Sequence, residues 1–399
     1  MTVELSTVPI VRTNALPGSA LQATVVRAYS SLEELPRTYE RLFELAAQES
    51  FFHSLPWYRN LVEHALGDGE QAQILGIESS DGTALAALPL RQSPAAGNPL
   101  RSRELRSLSN YYTTVYTPIL DPTQPQENLL ADLARALRAQ RPACDILDLR
   151  PLVRDSAMFE KLVHALKAAG FVVQTYFCHG NWYYPVNGKS YKEYLDSLRS
   201  SVRNIARSKN KKLERTGRAR IQVTCGGETL ASAIDAYQKV YSASWKVAEP
   251  FPEFVPGLIR TCAQLGWLRL GIAYVDDEPA AAQLWVVKDG RASIYKIAYD
   301  EKFRDLSVGS YLTMHMIERA IDVDKVSELD YLSGDDRYKS DWMSHRREQW
   351  GLLAMNPRTP AGAMAIIRHV GGRAAKSAAK KFIERFRGRK TASQNSGGK

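Results

Sequence analysis

Two stretches of this chain, 195 residues apart, repeat one pattern. LGIESSDGTALAALPL (75–90) and LGIAYVDDEPAAAQLW (270–285) share Leu-Gly-Ile, an aspartate six residues after the leucine, and an alanine-rich second half. Each reads as a β-hairpin: alternating apolar residues, a turn made of Asp with Gly or of Asp-Glu-Pro, and a return strand. Two helical patterns precede each hairpin, LEELPRTYERLFELAAQ and WYRNLVEHAL before the first, TLASAIDAYQKVYSASWK and EFVPGLIRTCAQ before the second. The same order at one fixed offset predicts a duplicated α/β unit.

The segments downstream of each hairpin fit a duplication. In the first half ENLLADLARALRAQ is an amphipathic helix, CDILDLRPL a strand, MFEKLVHALKAAGF a helix ending at Gly170, and VVQTYFC a strand. In the second half ASIYKIAYD is a strand, SYLTMHMIERAID a helix and SELDYLS a strand. Strands alternating with helices predict an α/β (α+β) fold, a mixed sheet flanked by helices in each half. The expected layout is an N-terminal domain at 22–185, a basic helical connector at 186–218, a second domain at 219–358 and a basic tail at 359–399.

The connector opens on an Asn187-Gly188 turn and a capping box formed by Ser190 and Glu193. Tyr194, Leu195, Leu198, Val202, Ile205, Ala206 and Leu213 mark an apolar stripe, Arg199, Arg203, Arg207 and Lys211 a basic row, and Gly217 a helix end. The Gly-Lys-Ser at 188–190 is not a phosphate-binding loop, because Tyr183 stands where that motif needs glycine.

Charge narrows the class of partner. Of a net +10, residues 358–399 carry 11 Lys+Arg against one acidic residue. Residues 192–220 carry 10 against 3, so the remainder is acidic. Two local basic segments imply two local anionic contacts rather than a general nucleic-acid surface. The tail segment AAKSAAKKFIERFRGRK fits a basic amphipathic helix on an anionic membrane surface, or a solubilising tail. No apolar run flanked by basic residues suggests a signal peptide, and no stretch reaches a membrane-spanning length. Four scattered cysteines without C-x-x-C read as reduced thiols, and the histidine spacing argues against a metal. His315, mid-helix among apolar residues, reads as a packed histidine.

The sharpest chemical feature is FRDLSVGSYLTMHM (303–316). A strand delivers the chain to a turn bracketed by Arg304 and Ser307, and Gly309 permits close approach of a ligand to the backbone. The helix after it buries Leu312, Met316, Ala320 and Ile321 and points unpaired N–H groups, with its dipole behind them, at one place. Such a corner accepts anions, and Arg304 adds a charge-assisted donor. An ordinary strand-turn-helix junction has the same outline.

Arg-x-x-Ser-x-Gly at Arg304, Ser307 and Gly309 resembles the Gln/Arg-x-x-Gly-x-Gly/Ala motif of the GNAT acyltransferase superfamily, with Ser307 in place of the first glycine. The resemblance runs from about Phe51 to Arg358, through FFHSLPWYRNL, SLRSSVRNIARSKNKKLER, AYDEKFRDLSVGSYLTMHMIERAI and LDYLSGDDRYKSDW. It is to the CelD-like branch, named for a cellulose-biosynthesis protein and related to the FemAB peptidoglycan aminoacyl transferases. It implies two tandem GNAT-like domains and acyl-CoA as co-substrate. It assigns coenzyme A binding to Ile297, Ala298, Arg304, Ser307, Val308, Gly309 and Ser310.

Acyl transfer needs a base for the nucleophile and an acid for the leaving thiolate. In LDYLSGDDRYKSDWMSH, Asp330 or Asp335 is the candidate base, Tyr338 the acid, and Lys339 an oxyanion or substrate-anion contact. The competing reading has Asp335 and Asp336 capping the next helix. Tyr111, Tyr112 and Trp245 are candidate acceptor-binding aromatics. The expected function is N- or O-acyl transfer in cell-envelope or exopolysaccharide biosynthesis by a cytoplasmic enzyme, peripheral at the inner membrane face through its tail. Two rivals remain: an aminoacyl-tRNA donor, with Arg199, Arg203 and Arg207 facing RNA, and a non-catalytic scaffold on a degenerate transferase fold.

Overall fold

The computed structural model describes residues 9–10, 24–93, 102–205, 213, 215 and 217–371. The expected tail helix, and Ala206, Arg207 and Lys211 of the connector, lie outside them. The strands are β1 (Pro9–Ile10), β2 (Thr24–Tyr29), β3 (Gln71–Ser79), β4 (Ala84–Gln92), β5 (Glu104–Ser107), β6 (Ile119–Leu120) and β7 (Ile146–Val153). They continue as β8 (Val172–Pro185), β9 (Ala219–Thr224), β10 (Leu268–Val275), β11 (Glu278–Lys288), β12 (Arg291–Tyr299), β13 (Glu328–Ser333) and β14 (His345–Met355).

Among the described residues these strands make one mixed sheet in the order β1-β2-β3-β4-β5-β7-β14-β8-β13-β12-β11-β10-β9, with β6 paired to β4. The order contains the duplication. β2-β3-β4-β5-β7 and β9-β10-β11-β12-β13 are the same run, antiparallel until the final pair, and β5·β7 and β12·β13 are parallel. The two units then exchange strands. β8, next in the chain after β7, pairs with β13; β14, next after β13, pairs with β7; and β8 and β14 pair with each other. Neither unit closes its sheet without a strand from the other. β14 is not legible in sequence, because HRREQWGLLAM does not alternate and its partners are remote along the chain.

Side-chain alternation divides the core into two faces. Ile74 on β3 and Leu270 and Ile272 on β10 point into one apolar cluster, covered by helices Thr38–Ala47, Leu55–Ala65, Leu230–Ser242 and Phe254–Gln264. These are the two predicted helix pairs. On the other face Leu75 and Ile77 meet helices Gln126–Ala139 and Ala157–Ala168, while Ala273 and Val275 meet helix Val308–Glu318. The first cluster crosses between units: Trp57 packs edge-on to Phe254 at 5.5 Å, and Asn60 Nδ2 donates to the Phe254 carbonyl at 3.2 Å. A Cβ on Gly257 would overlap the Asn60 side chain and His64. Gly257→Ala is therefore expected to lower unfolding free energy by about 1–3 kcal/mol, as over-packing does, measurable by urea denaturation.

The connector departs from expectation. Its capping box is present, with Ser190 and Glu193 each bonded to the other's backbone, and Asn187 and Gly188 both take positive φ in the turn before it. The helix then stops at Leu198, whose ψ is 161°. Helix Tyr191–Ser197 is succeeded by a separate helix Ser200–Ile205, not a continuation. The buried Tyr194, whose hydroxyl donates to the Trp342 carbonyl at 2.9 Å, and the Ser197 hydroxyl, which back-bonds to the Tyr194 carbonyl, fasten the first helix locally.

Candidate active site

β12 and β13 pair only at Arg291·Glu328, Ala292·Leu329 and Ser293·Asp330. Beyond that point they part, and two irregularities hold them apart. Tyr295 is the extra residue of a bulge against β11. On β13, Leu332 takes φ +55°, a conformation costly for a branched side chain. Its N–H donates to Asp330 Oδ1 at 2.7 Å, and its carbonyl accepts from Asn181 Nδ2 at 2.9 Å. Bulges of this kind redirect strands beside functional sites.

The parting strands open a cavity of about 260 Å³ lined by Ile294–Ile297 of β12, Tyr331–Ser333 of β13, Asp336, Tyr338 and Lys339, with Tyr111, Tyr112 and Thr114 from the first unit and Lys246 from the second. The corresponding gap in the first unit is closed by its own chain. Beyond the β5·β7 pairing, Ser107 and Ser109 hydroxyls both donate to the Arg150 carbonyl at 2.6 Å, and the buried Tyr116 donates its hydroxyl to the Pro89 carbonyl. The segment that closes that gap supplies Tyr111, Tyr112 and Thr114 to the cavity of the other.

Tyr111 and Tyr112 lie 4.9 and 5.0 Å from the Lys296 ammonium, which is ion-paired to Glu249 at 2.7 Å. Lys296 and Glu249 were missed from sequence. A lysine in the apolar alternation of SIYKIAY was the available signal, because such a residue enters a core only with a partner. Trp245 lies outside the cavity wall, over Tyr299 at 4.5 Å, while its neighbour Lys246 points in.

The aspartates separate. Asp330 is 3% exposed and engaged at both oxygens, by Asn181 and Leu332 at Oδ1 and by Arg347 at Oδ2. It lines a second cavity of about 320 Å³ behind β13, between the units. Here it anchors the bulge. Asp330→Asn should cost about 2 kcal/mol, since Arg347 keeps Glu328 but loses one buried charge partner; thermal denaturation reads this. Asp335 is gripped at both oxygens by Arg346 at 2.8 Å, and that bond holds its carboxyl below the usual range. Asp336 is the carboxylate that lines the first cavity, 3.8 Å from Lys339. Neither Asp335 nor Asp336 caps the short helix Lys339–Trp342 with its side chain.

Lys339 is 5% exposed and donates to the Tyr331 and Ser333 carbonyls, so it ties the end of β13 in place. Tyr338 is two-fifths exposed, edge-on to Tyr331 at 5.9 Å; desolvation and then Asp336 raise its pKa.

β12 leads from the cavity to the anion corner. Ile297 lines the cavity and Ala298 faces the core behind it; Tyr299 then stands beside Gly309. Residues Glu301–Leu306 form a 3-10 turn, Ser307 is left-handed at φ 56°, and helix Val308–Glu318 begins. A left-handed residue is what the motif's usual glycine supplies without strain. Main-chain N–H groups of Val308, Gly309 and Ser310 fall in the first turn, where no intrahelical acceptor exists. The buried Gln283 fixes this turn: its Nε2 donates to Thr313 Oγ1 at 2.7 Å and to the Gly309 carbonyl at 3.3 Å, and its Oε1 accepts from Trp285. Arg304 is exposed next to it, and no side-chain hydrogen bond or ion pair of Arg304 is found among the described residues. His315 is on the exposed face, not packed as expected.

Residues 200–340 match the family model described as an acetyltransferase (GNAT) domain. No curated protein matches the chain. Among solved structures, FemX shares 12% identity at a TM-score of 0.57, over 80% of this chain and 96% of that one. A tandem GNAT protein from the clavulanic acid biosynthesis pathway shares 11% at 0.47, over 84% and 100%. L-PGS from Bacillus licheniformis shares 11% at 0.46, over 77% and 93%. Residues 200–340, which hold the splayed β12·β13 pair and the anion corner, are thus the part of the chain that is similar to an acetyltransferase (GNAT) domain.

Proposed function

We propose that the chain transfers an acyl group from acyl-CoA to an amine or hydroxyl acceptor in the cavity between β12 and β13. The observation that carries this is continuity. A strand edge freed of its partner at Ser293 lines a polar cavity through Ile294–Ile297, and two residues later meets the start of helix Val308–Glu318, whose first-turn N–H groups have no intrahelical acceptor. The diphosphate of coenzyme A would sit at Val308–Ser310 with Arg304, the pantetheine arm along the open edge of β12, and the thioester in the cavity.

The acceptor enters from the side of Tyr111, Tyr112 and Thr114. Its nitrogen or oxygen attacks the thioester carbonyl carbon; the new C–N or C–O bond forms and the C–S bond breaks. Asp336 takes the acceptor's proton and Tyr338 returns one to the sulfur. Lys339 and Asp330 keep β13 splayed. The CelD-like resemblance extends the reading to acylation during cell-envelope or exopolysaccharide assembly, with the basic C-terminal segment holding the enzyme to an anionic membrane.

Calorimetric titration with acetyl-CoA and longer acyl-CoAs tests the reading. Micromolar, one-to-one binding is expected. A chain that binds no thioester yet binds tRNA, more weakly as salt rises and more weakly still with Arg199→Gln and Arg203→Gln, would belong to the aminoacyl-tRNA class instead.

A further inference from the structure

The cavity holds more positive charge than the donor's thioester needs. Three ammonium groups stand around it, from Lys246, Lys296 and Lys339. Lys296 is neutralised by Glu249 at 2.7 Å. Lys339 is occupied by two carbonyls and lies 3.8 Å from Asp336. Lys246 is different. Among the described residues no ion pair or hydrogen bond of its Nζ is found, and its nearest aromatic faces are Trp245 at 5.8 Å and Tyr241 at 5.9 Å. A cation with no direct ion pair, attracted by Glu249 and Asp336 only at longer range, therefore points into a small, partly desolvated space, where a charge is costly unless something pairs with it.

We propose that Lys246 receives a carboxylate carried by the substrate next to the reacting carbonyl, so that the enzyme selects a monoanionic substrate. This rests on the acyl-transfer reading above. Desolvation, with Lys296 beside it, lowers Lys246 to about 8, so the group is still mainly cationic at neutral pH, and a bound anion would hold it so. A neutral substrate would leave the charge unpaired. A monoanion brings the cavity's three cations and its two nearby carboxylates, Glu249 and Asp336, to balance. A dianion would overshoot.

The carboxylate can belong to the acyl group, as in a dicarboxylic half-thioester, or to the acceptor, as in an amino acid. Calorimetry on the full chain separates these sources. If the donor carries it, succinyl-CoA binds about tenfold or more tightly than acetyl-CoA, as one charge-assisted contact warrants. That ratio falls to about one in Lys246→Gln and returns in Lys246→Arg. If the acceptor carries it, the two thioesters bind alike. 4-Aminobutyrate then binds the acetyl-CoA complex where butylamine does not, and loses about tenfold in Lys246→Gln. Circular dichroism checks that each variant is folded. Should both thioesters bind but neither preference respond to Lys246→Gln, the anion-receptor role is overturned and the acyl-CoA reading survives. Should no thioester bind the wild-type chain, both fall together.

Discussion

Gly309→Glu abolishes acyl-CoA binding while leaving the free protein folded. Gly309 lies in the first turn of helix Val308–Glu318, where its N–H and those of Val308 and Ser310 face the proposed diphosphate. A Cβ there would come 3.3 Å from the Tyr299 ring, a contact relieved by a few tenths of an ångström of movement. Gly309→Ala should thus keep most of its affinity. The glutamate adds a carboxylate where the diphosphate must sit. Like charges about 4 Å apart at a partly solvated site repel by about 4 kcal/mol, so a loss of at least about 100-fold is expected. The fold tolerates the change, because an acidic residue in the first helical turn is favoured by the dipole. Calorimetry with acetyl-CoA, alongside a melting curve without ligand, reads both halves. Binding within threefold of wild type would remove the diphosphate from this corner and the proposed donor with it.

Tyr338→Phe lowers kcat by about 10²–10³-fold and leaves the KM for acyl-CoA nearly unchanged. The ring still packs edge-on to Tyr331, so the cavity wall survives and only the proton is lost. The sign of the pH dependence comes from the pKa. Burial and the neighbouring Asp336 raise the phenol, which holds its proton at and above the pH where a free tyrosine would begin to ionise. Wild-type turnover should accordingly keep its acid through the mildly alkaline range. A Tyr338→Phe rate within a few-fold of wild type, in steady-state assays with thiol detection, would assign protonation of the sulfur to solvent.

Local physics made the elements readable. The hairpins at 75–90 and 270–285, the two helix pairs before them, the Ser190 capping box and the strand-turn-helix around Gly309 are each written in a short window. Turn chemistry, caps and 2- or 3.6-residue periodicity act over a few residues, so no distant partner is needed to recognise them. The connector shows where this fails. Its apolar stripe continues through Leu198, yet the helix breaks there; docking of Tyr194 beneath Trp342 settles the first helix, and stripe periodicity carries no trace of that contact.

The site divides along the same line. Tyr338, Lys339, Tyr111, Tyr112 and Ile297 come together on one cavity, Trp245 stands just outside it, and Asp330 and Asp335 are held in ion pairs. Which of three neighbouring aspartates faces the cavity depends on a left-handed Leu332 and on Arg346 and Arg347 of β14, a strand that the residue pattern does not announce.

From its residues alone this protein is two copies of one α/β pattern with an anion-accepting helix start in the second copy. Only tertiary structure decided that the copies exchange strands, that the first copy's gap is closed by its own chain, and that Lys246 enters the second copy's gap with no ion pair to its Nζ among the described residues. Strand exchange joins residues more than a hundred positions apart and the Lys296–Glu249 pair residues 47 apart; such contacts are set by the packing of whole layers, which leaves no periodic mark in any one of them.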